Sequence, residues 1–186
     1  MRERLSASGV LTPPRRRRGR KHPGVTLALG LAGLTLIGFA ALADPAPRLV
    51  WNATASAPLG LYYRVSGPVR PGDLVLARPP AEAAHLAAER SYLPAGVPLI
   101  KRIAAQAGDE ICGLGAAVTI NGHVAAVRLA ADAWARTLPA WQGCRRLGTG
   151  EVFLLMEGVS GSFDGRYFGA VPADAVIGRL VALWTW

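Results

Sequence analysis

Nineteen residues, 25–43 (VTLALGLAGLTLIGFAALA), run without a charge. As a helix they span about 28 Å, the thickness of a bilayer core, and they lack the polar stripe of a globular helix. Pro23 and Gly24 before the run, and Asp44, Pro45 and Pro47 after it, bound that helix. Beyond it the period shortens. Residues 49–65 begin irregular and become strand-like over 61–65 (LYYRV), which is rich in β-formers. A turn with Gly67-Pro68 and Pro71-Gly72 leads to a strand over 73–77. Pro79 and Pro80 open a helix over 81–90, with Glu82 in its first turn and Arg90 in its last. Residues 97–105 form an extended apolar segment, followed by 109–112. Residues 118–124 predict a hairpin, since Asn121-Gly122 suits a two-residue type I′ turn. Residues 129–150, with Trp134, Pro139, Trp141 and Gly143, read as an irregular excursion, and 151–156 and 176–186 as two further strands. The pattern predicts a mainly β domain with a short helix and a partly closed sheet, preceded by one N-terminal transmembrane helix.

Charge fixes the direction of that helix. The 186-residue chain has 21 Lys and Arg against 12 Asp and Glu, a net +9, and residues 1–22 hold eight basic side chains against Glu3. Seven of the nine net charges therefore precede the apolar run, and the rest of the chain is close to neutral. The positive-inside rule then gives a basic cytoplasmic tail at 1–24, a signal-anchor at 25–43 and a domain at 44–186 across the membrane. A cleavable signal peptide ending at Ala41-Leu42-Ala43 is the competing reading, but the apolar stretch exceeds the usual ~7–15 residues, so the anchor is expected to stay. An arginine run that borders a membrane span is a topology signal, and no nucleic acid partner is expected. With 51% hydrophobic and 18% charged residues, a wholly disordered chain is excluded.

The residue types available restrict the chemistry. The two cysteines, Cys112 and Cys144, are expected to form one disulfide in an oxidising compartment. Their spacing fits no zinc pattern, and the histidines (His22, His85, His123) suggest no metal site. His85 and His123 read as surface residues, which leaves a Ser-His-Asp triad without its base. Asp109 and Glu110 are neighbours on a strand and point to opposite faces. A serine activated by a lysine survives this elimination. Lys101 is the only lysine after residue 43, against twelve arginines, and it lies in the apolar segment VPLIKRI. Burial there would disfavour the ammonium and yield a neutral amine able to take a hydroxyl proton. The competing reading is a solvated lysine guarding an edge strand.

Three stretches carry a resemblance. Residues 52–62, NATASAPLGLY, resemble the nucleophile box of the signal-peptidase-like serine proteases and are especially similar to the NxTxSxPxGLY form of the TraF-type conjugative transfer signal peptidases. Lys101-Arg102-Ile103 followed by Gly108-Asp109 resembles the box that carries the lysine base, and residues 162–169, SFDGRYFG, resemble the last box, usually SxDSRYFG. The resemblance covers nearly all of residues 25–186.

It implies a signal-peptidase/LexA-like β fold with no cofactor. Ser56 would be the nucleophile and Lys101 the general base. Thr54 would join the Ser56 backbone N–H as an oxyanion hole, Ser162 would orient the lysine, and Asp164 and Arg166 would form a structural pair. It further implies a single-pass protein of the bacterial inner membrane with its catalytic domain in the periplasm. Its partners would be the lipid bilayer, a membrane-tethered pilin precursor with small side chains at the −1 and −3 positions, and other components of a conjugation or type IV secretion apparatus. Transfer of the acyl-enzyme to the pilin's own amine would give a cyclic product. Ser56 lies 13 residues after Ala43, which favours a site near the outer membrane surface. Two positions depart from the family: Gly165 stands where serine is common, and Ala57-Pro58 follows the nucleophile where general type I leader peptidases have methionine. The alternatives are a general signal peptidase of secreted precursors and a non-enzymatic anchored scaffold.

Overall fold

The computed structural model describes residues 23–43 and 48–186, and the chain divides into two units after Pro45. In the first unit, helix α1 (Pro23–Ala43) is 21 residues long. Leu27, Leu29, Leu31, Leu34, Leu36, Ile37 and Phe39 are exposed. Side chains on α1 are described over 23–39. Among the described residues no helix is long and apolar enough to cross a membrane. The basic tail 1–22 and the helix-bounding Asp44, Pro45 and Pro47 lie outside the described residues.

The second unit is built from eleven described strands and two short α-helices. In chain order they are β1 (Leu49–Asn52), β2 (Gly60–Val65), β3 (Leu74–Ala77), α2 (Ala81–Glu89), β4 (Leu99–Gln106), β5 (Glu110–Leu114), β6 (Ala117–Ile120), β7 (His123–Val127), β8 (Gly143–Arg146), β9 (Glu151–Leu155), α3 (Gly165–Phe168), β10 (Val171–Pro172) and β11 (Val176–Thr185). Seven strands form an antiparallel sheet in the order β1-β2-β11-β3-β4-β9-β10, and four form a second, β7-β6-β5-β8. Strand β4 is interior, with Lys101 opposite Val75 of β3. The edge-strand reading of Lys101 therefore does not hold. Val75, Ile103 and Leu154 pack together as one buried cluster. Ala57, Tyr62, Ile100, Met156 and Leu180 form another, which ties the 53–59 loop to β2, β4 and β11.

Most predicted elements fall where the pattern put them, and the departures have local causes. Residues 49–52, expected to be irregular, form an edge strand because β2 supplies a register from Leu49↔Tyr63 to Asn52↔Gly60. Gly60 permits this assembly: its φ is +139°, and a Cβ there would lie 2.1 Å from the Trp184 carbonyl oxygen of β11. The hairpin turn has positive φ at both Asn121 (49°) and Gly122 (81°), as a type I′ turn requires. Within 129–150 the chain makes an isolated bridge, Ala131↔Thr137, and then β8. The Cys112–Cys144 disulfide clamps β8 to β5 at directly opposed positions.

That disulfide closes a loop with a sequence separation of 32. On the chain-entropy model, the Cys112→Ser/Cys144→Ser variant should lose about 3–4 kcal/mol of stability. Urea unfolding of the two proteins, each with and without reductant, checks this. Reductant should shift the parent alone.

Candidate active site

Asn52 organises the loop between β1 and β2. Its side chain is buried at the end of β1, and its amide nitrogen lies 3.0 Å from the carbonyl oxygens of Thr54, Ala57 and Pro58. Its Oδ1 accepts from the Thr54 N–H (3.1 Å) and the Thr54 hydroxyl (2.9 Å). One side chain thus shares its two N–H donors among three carbonyls and accepts from two donors, groups that a tight loop would otherwise leave to water. Tyr62 adds a 2.6 Å hydrogen bond from its hydroxyl to the Pro58 carbonyl. The loop so fixed presents Ser56, half-buried, with its Oγ 3.3 Å from Thr54 Oγ1. Because the Thr54 proton is engaged by Asn52, Ser56 is the donor in that contact.

Lys101 points from β4 into the protein and is only 3% exposed. Its Nζ donates to Ser162 Oγ at 2.7 Å. Burial lowers its pKa from 10.5 to about 8; Asp164 opposes this and Arg166 assists it. These two make a fully buried ion pair, with Arg166 Nε 2.8 Å from Asp164 Oδ1 and Nη2 3.1 Å from Oδ2. The same pair grips Met156: Asp164 Oδ2 accepts from its N–H at 3.0 Å, and Arg166 Nη2 donates to its carbonyl at 2.8 Å. Asp164 also caps α3, accepting from the Arg166 N–H at 3.2 Å. Residues 156–166 are thereby a closed hydrogen-bonded unit that sets Ser162 beneath the amine.

Ser56, Thr54, Lys101 and Ser162 line one cleft of about 1000 Å³, together with β1. Its remaining wall is largely apolar and includes Leu93, Val97, Leu138 and Phe163. Part of that wall is the 129–138 excursion, which is latched to the end of α2. Asp132 accepts from the Tyr92 hydroxyl and from Arg136 Nε at 2.7 Å, and Arg90 Nη1 donates to the Thr137 carbonyl at 2.9 Å. Burial raises the Asp132 pKa, but these bonds and the Arg136 and Trp134 N–H groups outweigh it and hold the carboxyl well below its usual range. His85 and His123 are exposed. Among the described residues no group of three or more His, Cys, Asp or Glu is placed to hold a metal ion.

The sequence reading brought together Ser56, Thr54, Lys101, Ser162, Asp164 and Arg166, and the fold places all six around this cleft or directly behind it. It missed Asn52, although this is the first residue of the box it used, and it missed the Asp132 latch. An asparagine two residues before a threonine was the available signal for the former, as Asx side chains bond the backbone two residues on. Gly165 also finds an explanation. A Cβ there would lie 2.6 Å from the Leu154 carbonyl oxygen and 2.8 Å from the Phe153 ring, and Trp141 Nε1 donates to the Gly165 carbonyl at 2.9 Å.

The signal peptidase family, peptidase S26, matches residues 24–186. The plasmid transfer protein TraF of Escherichia coli is 37% identical over 84% of this chain and 92% of its own. A probable conjugal transfer protein TraF of Sinorhizobium fredii is 36% identical over 86% and 89%. Among solved structures, a signal peptidase I from Enterococcus faecalis aligns with 19% identity and a TM-score of 0.37, over 62% of this chain and 98% of that one.

Two stability outcomes follow from the geometry. Below pH 8 Lys101 is charged in both the folded and unfolded states, and burial carries its full cost. Between pH 8 and 10.5 the folded state releases the proton first, so stability rises with pH. Relative to Lys101→Met, the parent should gain about 3 kcal/mol between pH 7 and pH 11, read from paired denaturant titrations. Gly165→Ser should cost about 1–3 kcal/mol through overpacking against Phe153, read from the same titrations at pH 7.

Proposed function

Because this chain belongs to the peptidase S26 family of signal peptidases, we propose that it is a membrane-anchored serine endopeptidase with a Ser56–Lys101 dyad, which processes a pilin precursor in conjugative transfer. The observation that carries the dyad is the buried Lys101 amine, hydrogen-bonded to Ser162 inside the cleft that Ser56 also lines. A neutral amine fixed there accepts the Ser56 proton as Oγ attacks the scissile carbonyl carbon. The tetrahedral oxyanion is met by the Ser56 N–H and the Thr54 hydroxyl, which turns from Asn52 toward the new charge. Lys101 then passes the proton to the departing amine, leaving an ester on Ser56. Water, or the α-amine of the pilin itself, attacks that ester. Attack by the amine forms a new peptide bond, returns the proton to Ser56 through Lys101 and gives a cyclic product.

The substrate enters as an extended strand. The outer edge of β1 carries no partner strand among the described residues and lines the cleft, so a peptide can add to it by main-chain hydrogen bonds. Residues 25–43 anchor the protein in the inner membrane and place the domain in the periplasm, a compartment that suits the disulfide. Anchoring confines enzyme and precursor to one surface and raises their effective concentration. The relatives named for plasmid and conjugal transfer favour a role in conjugation over a general secretory one.

Ser56→Ala and Lys101→Met should each leave the pilin precursor uncut in a conjugating strain, and retained processing in both would leave a scaffold role. With purified protein, kcat/KM should rise with pH through an apparent pKa near 8, since only the unprotonated amine serves; a flat profile from pH 5 to 9 would exclude a lysine base. The pilin precursor should be cut faster than an ordinary secretory precursor, and equal rates would make the protein a general signal peptidase.

A further inference from the structure

Ser56 stands on the rim of two cavities. One is the cleft described above. The other, of about 330 Å³, is walled by Pro58, Leu59, Met156, Val159 and Trp186, and contains neither Lys101, Ser162 nor any residue of β1. Acyl transfer at a serine has two halves: an acyl segment that stays on Oγ and an amine segment that leaves. The lysine, its orienting hydroxyl and the free strand edge all lie in the larger cleft, which accounts for the acyl half. We propose that the smaller pocket seats the side chain immediately C-terminal to the scissile bond, and that this side chain is apolar. The proposal rests on the reading of Ser56 as nucleophile and specifies the substrate of that site.

The walls are fixed before any substrate arrives. The Trp186 N–H donates to the Leu59 carbonyl at 3.1 Å, which joins β11 to the loop bearing Ser56. The Pro58 carbonyl is held by Tyr62, and both backbone groups of Met156 are held by the Asp164–Arg166 pair. The Trp186 ring lies 5.5 Å from Trp51 and 5.0 Å from Trp184, yet remains 62% exposed. A rigid apolar face that water still covers gains most when an apolar group displaces the water. Among the described residues, Ser56 brings the only polar side chain to this pocket apart from the Trp186 indole. A charged side chain entering it would lose hydration without gaining a partner. The volume lies at the small end of the ~300–1,000 Å³ typical of ligand pockets, which fits one side chain of leucine or methionine size with its backbone.

The test uses the full chain in detergent micelles and quenched peptides identical through the scissile carbonyl, with Leu, Ala or Asp next. The methyl ester of the same acyl segment has no side chain on the leaving side and serves as the control. The parent should prefer Leu to Asp by about tenfold or more in kcat/KM. Trp186→Ala should bring the Leu/Ala ratio close to one by slowing the Leu peptide more than the ester, and Trp186→Phe should keep the preference. Equal parent rates on all three peptides would overturn the assignment, as would equal slowing of ester and Leu peptide by Trp186→Ala. Ester hydrolysis surviving in Ser56→Ala would remove the nucleophile itself, and the pocket's role with it.

Discussion

An ammonium group taken out of water inside a β-sheet is unstable unless its surroundings are fixed, and Lys101 imposes that requirement on the whole domain. Its strand, β4, is enclosed by β3 and β9, and its side chain is buried beneath the cleft. The hydroxyl it meets, on Ser162, stands on a segment with little regular structure. That segment keeps its shape through the Asp164–Arg166 pair, whose charges act on the lysine in opposite directions. The pair therefore shapes the segment while leaving burial as the dominant influence on the amine. A buried pair of this kind is costly to break, because either partner left alone is an unpaired charge in a dry interior.

The two sides of the cleft are held by different physics. On the serine side, one neutral amide, Asn52, satisfies a loop that has almost no secondary structure. On the lysine side, strand pairing and an ion pair do so. The excursion that closes the cleft uses a third device, a carboxylate surrounded by donors at Asp132. The first works within a few residues of sequence, whereas the other two join segments forty or more residues apart.

Legibility from sequence followed the range of the interactions. The strands with alternating or uniformly apolar runs, such as 74–77 and 151–155, were readable because their burial pattern repeats every residue or two. The β1 strand was not, since four residues at a sheet edge become a strand only when β2 lies alongside. Helix α3 is a single turn capped by Asp164 and leaves no periodicity to detect. Of the site, Ser56, Thr54, Lys101 and Ser162 were accessible through ordered motifs. Asp132 was not, because its partners Tyr92 and Arg90 sit some forty residues earlier and nothing local marks the pairing. The crowding at Gly165 likewise depends on Phe153, across a turn of chain whose path no single-sequence pattern gives.

The sheet order has a consequence for the growing polypeptide. The hairpin of β1 and β2, which frames Ser56, joins the rest of its sheet through β11, and β11 is the last strand in the chain order. Protein chains emerge from the ribosome N-terminus first, at roughly 5–20 residues per second. Until β11 is made, the strand that couples the Ser56 hairpin to β3, the neighbour of the Lys101 strand, is absent. A nascent chain thus holds Ser56 and Lys101 on uncoupled pieces of the sheet and joins them only after β11 has emerged. Emergence of β11 therefore times the joining of the two halves of the cleft.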